Sequence, residues 1–236
     1  SHASGYNSVA IAGGYTAGNN NIAVGVGSFA RNGSYAIALG RNSEANANKT
    51  VAIGLASDAS GVQAFALGSS SVASGNNSTA LGGAIDLNGD GMIEPNEETT
   101  ASGGLSMALG SASQATQDNA TAVGGEAQAT GVGATAVGST ALASGVAAAT
   151  LGFGAQATAD GSVAIGWNSI ANVANTVSFG NAAAGTYREL VNIADPTAAH
   201  SAVDLGYLQS HYTSTQSLQD EIASIYKRID AMDATT

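Results

Sequence analysis

Small and apolar residues repeat along the chain with a period that is not helical. In most copies the unit is x-Ala-aliphatic-Gly. From Ile37 onward the copies begin 14 residues apart, except for one step of 28 residues between Thr79 and Met107, and the first two steps are 13 and 15. The copies begin at Val9, Ile22, Ile37, Val51, Phe65, Thr79, Met107, Thr121, Thr135, Ala149, Val163 and Val177. Because glycine and β-branched residues recur throughout, the repeat favours strands over helices.

A second alanine follows the glycine of most units after five residues. These alanines are Ala30, Ala45, Ala59, Ala73, Ala115, Ala129, Ala143, Ala157 and Ala171. Turn residues, as in ASGNNS and ATADGS, separate the two apolar pieces of each unit. Two short strands and two bends in each repeat predict one turn of a flat parallel β-roll, in which equivalent residues stack about 4.7–4.9 Å apart. We assign residues 1–181 to this roll.

Strand alternation places the aliphatic residues on one face of the roll and the alanines on the other. The pattern alone leaves open which face is interior. A turn this small encloses about one layer of small side chains, so the second apolar face needs another surface to cover it. The sequence therefore predicts an oligomer.

Composition and charge exclude several functional classes. Charged residues make up 10% of the 236-residue chain, and the net charge is −11. This negative charge argues against nucleic-acid binding, and no basic run could dock on anionic lipid. The chain has no cysteine and three histidines, His2, His200 and His211. Because no Ser-His-Asp or paired-carboxylate arrangement stands out, we expect no catalytic site.

The tail of the chain changes to a helical period. A series of residues, most of them apolar, lies alternately three and four positions apart and would form one seam along a helix. The series is Leu208, His211, Thr215, Leu218, Ile222, Ile225, Ile229 and Met232. This heptad spacing predicts a coiled coil over residues 208–236, and the Ile222/Ile225 layer favours trimers or tetramers over dimers. The alternative is one amphipathic helix on the flank of the roll. Residues 182–207 lack both periods and are interpreted as an adaptor.

The 28-residue step contains a stretch that matches a calcium loop. AIDLNGDGMIEPNEE, Ala84 to Glu98, fits the EF-hand pattern D-x-[DN]-x-[DN]-G-x₅-E. The predicted ligands are Asp86, Asn88, Asp90, the backbone carbonyl of Met92, Glu94 and Glu97. Calcium takes 6–8 oxygen ligands, which this spacing can wrap around one ion. The alternative is an acidic surface loop that matches by chance.

No helical pattern flanks this loop, so it does not resemble half of a helical sensor. The added length is one 14-residue period, which keeps the repeat in phase. We therefore predict an excursion over residues 83–104, which leaves the roll after Gly82, rejoins it before Met107 and is ordered by calcium as a structural element. Pro95 suits the first turn of a short helix at the end of the loop.

The repeats also carry a resemblance to a known family. SVAIG at Ser162–Gly166, followed by SIA at Ser169–Ala171, resembles the head repeats of YadA-like trimeric autotransporter adhesins. The stretch VNIADPTAAHSAVDLGYL, residues 191–208, is similar to the neck of that family. It departs from the neck pattern at Pro196, His200, Ser201, Asp204 and Tyr207. The departures affect hydrogen bonds within the neck rather than its role.

The resemblance implies an all-β solenoid head, a left-handed parallel β-roll, followed by a neck and a C-terminal α-helical trimeric coiled coil. It also implies a homotrimer on the bacterial cell surface, anchored in the outer membrane by a C-terminal segment absent from this chain. Such heads bind host extracellular matrix, cells or other surfaces. The alternative function is a calcium-ordered structural spacer that displays another domain of a surface fibre.

Overall fold

The first of two compact units of the chain is a coil whose strands form two parallel β-sheets. The computed structural model describes residues 1–211 and 215–233, and the chain divides into Ser1–Arg188 and Glu189–Thr236. The first unit holds 24 strands of two or three residues, which form two sheets of 12 strands each. Spatial neighbours within a sheet are alternate strands in sequence, so each coil contributes one strand to each sheet. The predicted all-β solenoid is confirmed.

Sheet A contains the odd-numbered strands. They are β1 (His2–Ser4), β3 (Tyr15–Ala17), β5 (Phe29–Ala30), β7 (Glu44–Ala45), β9 (Asp58–Ala59), β11 (Ser71–Ala73), β13 (Thr99–Ala101), β15 (Gln114–Ala115), β17 (Gln128–Ala129), β19 (Leu142–Ala143), β21 (Gln156–Ala157) and β23 (Ile170–Ala171).

Sheet B contains the even-numbered strands. They are β2 (Val9–Ile11), β4 (Ile22–Val24), β6 (Ile37–Leu39), β8 (Val51–Ile53), β10 (Phe65–Leu67), β12 (Thr79–Leu81), β14 (Met107–Leu109), β16 (Thr121–Val123), β18 (Thr135–Val137), β20 (Ala149–Leu151), β22 (Val163–Ile165) and β24 (Val177–Ser178). Equivalent residues of successive repeats pair in parallel register, as Ala66 does with Ala52 and Ala80.

The interior of the roll is built from alanine. The hydrophobic core cluster consists of alanines alone, and those of both sheets, such as Ala66 and Ala129, have no exposed surface. The residues that flank the central residue of the sheet B strands are half-buried, as Phe65 and Leu67 are, or exposed, as both are in β14. The alanine face, which the sequence pattern leaves undecided, is therefore the interior face.

The corners of the roll combine glycine with small hydroxyl residues. Ser113 Oγ donates to the carbonyl oxygen of Gly110 at 2.7 Å, and Thr50 Oγ1 donates to that of Ala47 at 2.8 Å. These bonds satisfy polar groups inside the coil. Gly124 has a φ of 128°, and a Cβ there would lie 2.7 Å from the carbonyl carbon and oxygen of Gly138. The corner glycine is therefore required both by conformation and by the close approach of the next coil.

The end of the first unit lies beyond the boundary drawn from the sequence at residue 181. Ala182–Ala184 form a 3-10 turn. Arg188 donates through Nη2 to the carbonyl oxygen of Trp167 at 2.6 Å and through Nη1 to that of Phe179. The Arg188 side chain thus packs against the last coil of the roll.

Over its described residues the second unit contains two helices, α1 (Leu205–His211) and α2 (Thr215–Asp233). Leu208, Leu218, Ile222 and Ile225 of the predicted seam are exposed. The side chains of His211, Thr215, Ile229 and Met232 lie outside the described residues. The assembly of this segment into a coiled coil stays a prediction. Neither helix, over its described residues, combines the length and apolarity that crossing a membrane requires.

The narrow core predicts that a larger side chain at an interior position destabilises the roll. Ala129 of β17 is fully buried, whereas its neighbour Gln128 points outward and is exposed. We expect Ala129→Leu to lower the free energy of unfolding by about 1–3 kcal/mol because the added carbons have no space between the sheets. Gln128→Leu, the matched control, should change it by less than about 0.5 kcal/mol. Thermal unfolding followed by circular dichroism measures both, and equal melting of the two variants would contradict the close packing of alanine between the sheets.

Candidate functional site

An excursion over residues 83–98 leaves the roll at the corner between β12 and β13. The amide of Ala84 donates to the carbonyl oxygen of Ser69 at 2.9 Å, and the amide of Ile85 donates to that of Glu97 at 3.0 Å, which closes the base of the loop. β13 then pairs with β11 on one side and β15 on the other. The chain therefore rejoins the roll at Thr99, earlier than the predicted boundary at residue 104.

The end of the excursion differs from the sequence prediction in two details. Residues 95–97 form a turn, and no helix follows Pro95. The prediction of a short helix is wrong because Thr99 and Thr100 are β-branched and complete the ladder of sheet A. Ala101 is the fully buried alanine of this coil. It is absent from the predicted series because the excursion separates it from Gly82.

Side chains of the excursion accept hydrogen bonds from the backbone amides of the same loop. The two carboxylate oxygens of Asp86 accept hydrogen bonds from the amides of Gly89 at 2.6 Å and Gly91 at 2.8 Å. Asn88 Oδ1 accepts from the amide of Asp90 at 2.9 Å. Asp90 Oδ1 accepts from the amide of Met92 at 2.8 Å. The positions predicted as ligands thus form successive turns that fold the loop.

Glu97 is the buried anchor of the loop, with 1% of its surface exposed. Its Oε1 accepts from the amides of Leu87 at 2.8 Å and Asn88 at 3.3 Å, and its Oε2 accepts from the amide of Glu94 at 3.1 Å. A hydrogen bond with the Glu94 side chain, together with these backbone amides, lowers the pKa of Glu97. The same side-chain bond raises the pKa of Glu94. Glu97 is therefore the more readily ionised of the two carboxyl groups.

The structure brings several of the predicted ligands together. Asn88 Nδ2 donates to Asp90 Oδ2 at 3.2 Å and to Glu94 Oε2 at 3.4 Å. The amide group thus places its partial positive charge between two acidic side chains. Asp86 directs its oxygens to backbone amides instead. Over the described residues, no three acidic or histidine side chains converge closely enough to hold a metal ion. The donor set is all oxygen, as calcium requires, but its convergence around one point is not present.

The outer face of sheet B is a second feature. Each strand presents its first and third residues outward, and most of these residues are aliphatic. The more exposed ones include Ile11, Met107, Leu151 and Val177. Contiguous exposed apolar surface on a folded chain marks a site of protein–protein contact.

Known proteins share this architecture. The YadA head domain repeat family matches residues 32–57, 59–84, 101–127, 151–169 and 157–183, and one of the gaps between matches, from 85 to 100, overlaps the excursion. The crystal structure of the collagen-binding domain of Yersinia adhesin YadA aligns with a TM-score of 0.52 and 26% sequence identity, over 87% of each chain. No curated protein matches the chain. The family repeats and the solved structure together support a YadA-like head of the trimeric autotransporter adhesin type.

Proposed function

We propose that this chain is a non-catalytic adhesin head on the bacterial cell surface, tethered to the outer membrane through a C-terminal segment outside this chain. It acts as a homotrimer that binds host extracellular matrix, cells or other surfaces. The observation that carries this proposal is the YadA-type roll, because heads of this kind are surface-exposed adhesion modules. The solved relative is a collagen-binding domain, so collagen is the first matrix protein to test.

The trimer follows from the two apolar seams that the single chain leaves uncovered. The aliphatic ladder of sheet B runs along the whole roll. In the tail, the exposed Leu218, Ile222 and Ile225 carry the heptad spacing. Three copies that share one axis would cover the ladder of sheet B and the heptad seam of the tail. Outward residues of sheet A, which include Glu44, Asp58 and Gln128, then face solvent and ligands.

Oligomeric state tests this arrangement with a matched pair of variants. Val137 and Leu142 lie in one coil, are both half-buried, and point outward from sheet B and sheet A respectively. Analytical ultracentrifugation should show three 22.8 kDa chains for the parent protein and for Leu142→Asp. Val137→Asp should dissociate because it places three charges in an apolar interface. A well-folded monomer of the parent chain would overturn the arrangement.

Adhesion itself is tested by surface binding. Purified head is expected to bind immobilised collagen, other matrix proteins or cultured cells in a saturable manner. Val137→Asp should lose most of this binding, because a dissociated head presents one site where the trimer presents three, and linked sites raise avidity by about 10²–10⁴. Absence of binding to every surface, with the trimer intact, would favour the alternative of a spacer that displays another domain.

The excursion is proposed as a calcium site of structural role. Asp86, Asn88, Asp90, the carbonyl of Met92, Glu94 and Glu97 would hold the ion. Support comes from the spacing, from the all-oxygen donor set and from the ionised, buried Glu97. Calcium would neutralise the clustered carboxylates and hold the loop in one conformation.

Hydrogen exchange tests the calcium proposal. Amides of residues 83–98 should exchange more slowly in calcium than in chelator, by about 100-fold when calcium exceeds its dissociation constant 100-fold. Amides of the roll should not respond. Asp86→Ala should abolish the response, whereas Glu98→Gln, which removes an acid outside the ligand pattern, should retain it. Identical exchange of the excursion with and without calcium would refute the site.

A further inference from the structure

The chain contains two Asn-Gly pairs, Asn88–Gly89 in the excursion and Asn32–Gly33 in the roll. Asparagine before glycine is prone to spontaneous deamidation, because glycine has no side chain to hinder attack of its backbone nitrogen on the asparagine side chain. Both asparagines are exposed. The two pairs therefore differ in the freedom of their backbone rather than in access to water.

The backbone around Asn88 is held only by the excursion itself. A Cβ placed on Gly89 or Gly91 would meet no atom within 4 Å. Gly89 has a φ of 74°, which glycine adopts without steric cost. Asp86 accepts from the amides of both glycines, so these hydrogen bonds belong to the loop alone. Rotation of the backbone at this point breaks no hydrogen bond of either sheet.

The side chain of Asn88 is folded over the peptide that follows it. Its Oδ1 accepts from the amide of Asp90 at 2.9 Å, which draws electron density away from the side-chain carbonyl carbon. Its Nδ2 donates to Asp90 Oδ2 at 3.2 Å and to Glu94 Oε2 at 3.4 Å. One hydrogen bond opposes attack on this carbon, because the Gly89 amide donates to Asp86 Oδ1 at 2.6 Å. That bond lies between exposed residues, so water can take the place of Asp86.

The backbone around Asn32 is fixed by the neighbouring coil. A Cβ placed on Gly33 would lie 2.4 Å from the carbonyl carbon of Ala47 and 2.5 Å from the amide nitrogen of Asn48. The carbonyl oxygen of Gly33 accepts from Nδ2 of the fully buried Asn21 at 3.0 Å. Ring closure at Asn32 would require this corner to move away from the next coil. The roll therefore protects Asn32 although its side chain is exposed.

We propose that Asn88 is a site of spontaneous deamidation, which changes the charge and the conformation of the excursion as the protein ages. The backbone nitrogen of Gly89 gives its proton to water and bonds to Cγ of Asn88, while Nδ2 takes up a proton and leaves as ammonia. Water then opens the cyclic imide. Cleavage between Cγ and the Gly89 nitrogen gives aspartate, and cleavage between the main-chain carbonyl carbon of Asn88 and that nitrogen gives isoaspartate. The net reaction consumes one water and releases one ammonia.

Either product loosens the excursion. Asn88 Nδ2 is the donor between the carboxylates of Asp90 and Glu94, and a carboxylate in its place donates to neither and repels both. In isoaspartate the main chain also gains one carbon, which displaces the Gly89 amide from Asp86. The inference goes beyond the proposed adhesin role, because the reaction needs neither a partner nor a metal ion.

Ageing of the purified full chain at neutral pH in chelator tests the proposal. Peptide mass spectrometry follows the mass gain that accompanies replacement of an amide group by a carboxyl group. Deamidation at Asn88 should be at least about tenfold faster than at Asn32, equivalent to about 1.4 kcal/mol of additional local opening free energy in the roll. In guanidinium chloride that unfolds the chain, the two rates should converge. Asn88→Gln should show no mass gain in the excursion.

The effect on conformation is measured on the separated forms. Anion exchange isolates the deamidated chain, which carries an additional negative charge. Amides of residues 83–98 should exchange at least about fivefold faster in this form, equivalent to about 1 kcal/mol, while amides of the roll are unchanged. Aged Asn88→Gln retains Asp90–Gly91 and should exchange like the fresh variant.

Three results would overturn the proposal. They are equal deamidation of Asn32 and Asn88 in the folded chain, identical exchange of the parent and deamidated forms, and loosening of Asn88→Gln on ageing, which would assign the change to Asp90. Because every measurement is made in chelator and without a matrix ligand, these results leave the calcium and adhesin proposals standing.

Discussion

The two sheets of the roll lie so close together that alanine meets alanine across the interior, and the other properties of the head follow from this spacing. A coil of 14 residues has room inside for methyl groups and small hydroxyl groups, as Ala66 and Ser113 show. The large aliphatic residues are therefore placed outside. Each coil gains little hydrophobic stabilisation of its own, so stability accumulates through contacts between neighbouring coils, as in other solenoids. The outer aliphatic ladder is a consequence of the thin core, and the proposed self-association would cover it.

The 14-residue period predicts the features that depend only on the residues within one repeat. The parallel roll, the pairing register and the alternation of alanine with aliphatic residues follow from the 14-residue spacing. Which face is interior could not be predicted, because alanine and the aliphatic residues are both apolar. Only the short distance between the two sheets requires the smaller residue, alanine, on the interior face. Ala101 and the strand at Thr99 were missed because long-range pairing with Ser71–Ala73 overrides the local preference of Pro95 for a helix start. The hydrogen bond from Gln114 to Pro95 depends on where the excursion comes to lie on sheet A, which no local pattern encodes.

The excursion is tolerated because it interrupts a corner and leaves every strand in place. β12 still pairs with β10 and β14, and β13 still pairs with β11 and β15. Leu81 and Leu109 are consequently neighbours in space although the chain between them is twice the usual length. A corner insertion of one full period adds a projecting loop at little cost to the ladder. Loops held on rigid scaffolds are where binding residues concentrate.

Two consecutive carboxyl groups at the end of this loop have opposite environments. Glu97 points inward, and its hydrogen bonds with Glu94 and with backbone amides lower its pKa. Glu98 lies beside the outward residues Val72 and Thr100, where burial and the carboxylate of Asp58 raise its pKa. Alternation along the chain separates the two groups, so an ion bound by Glu97 would lie on the opposite side of this short segment from Glu98. Because the turn at residues 95–97 positions both groups, an ion that ordered the loop would also fix the position of Glu98 beside sheet A.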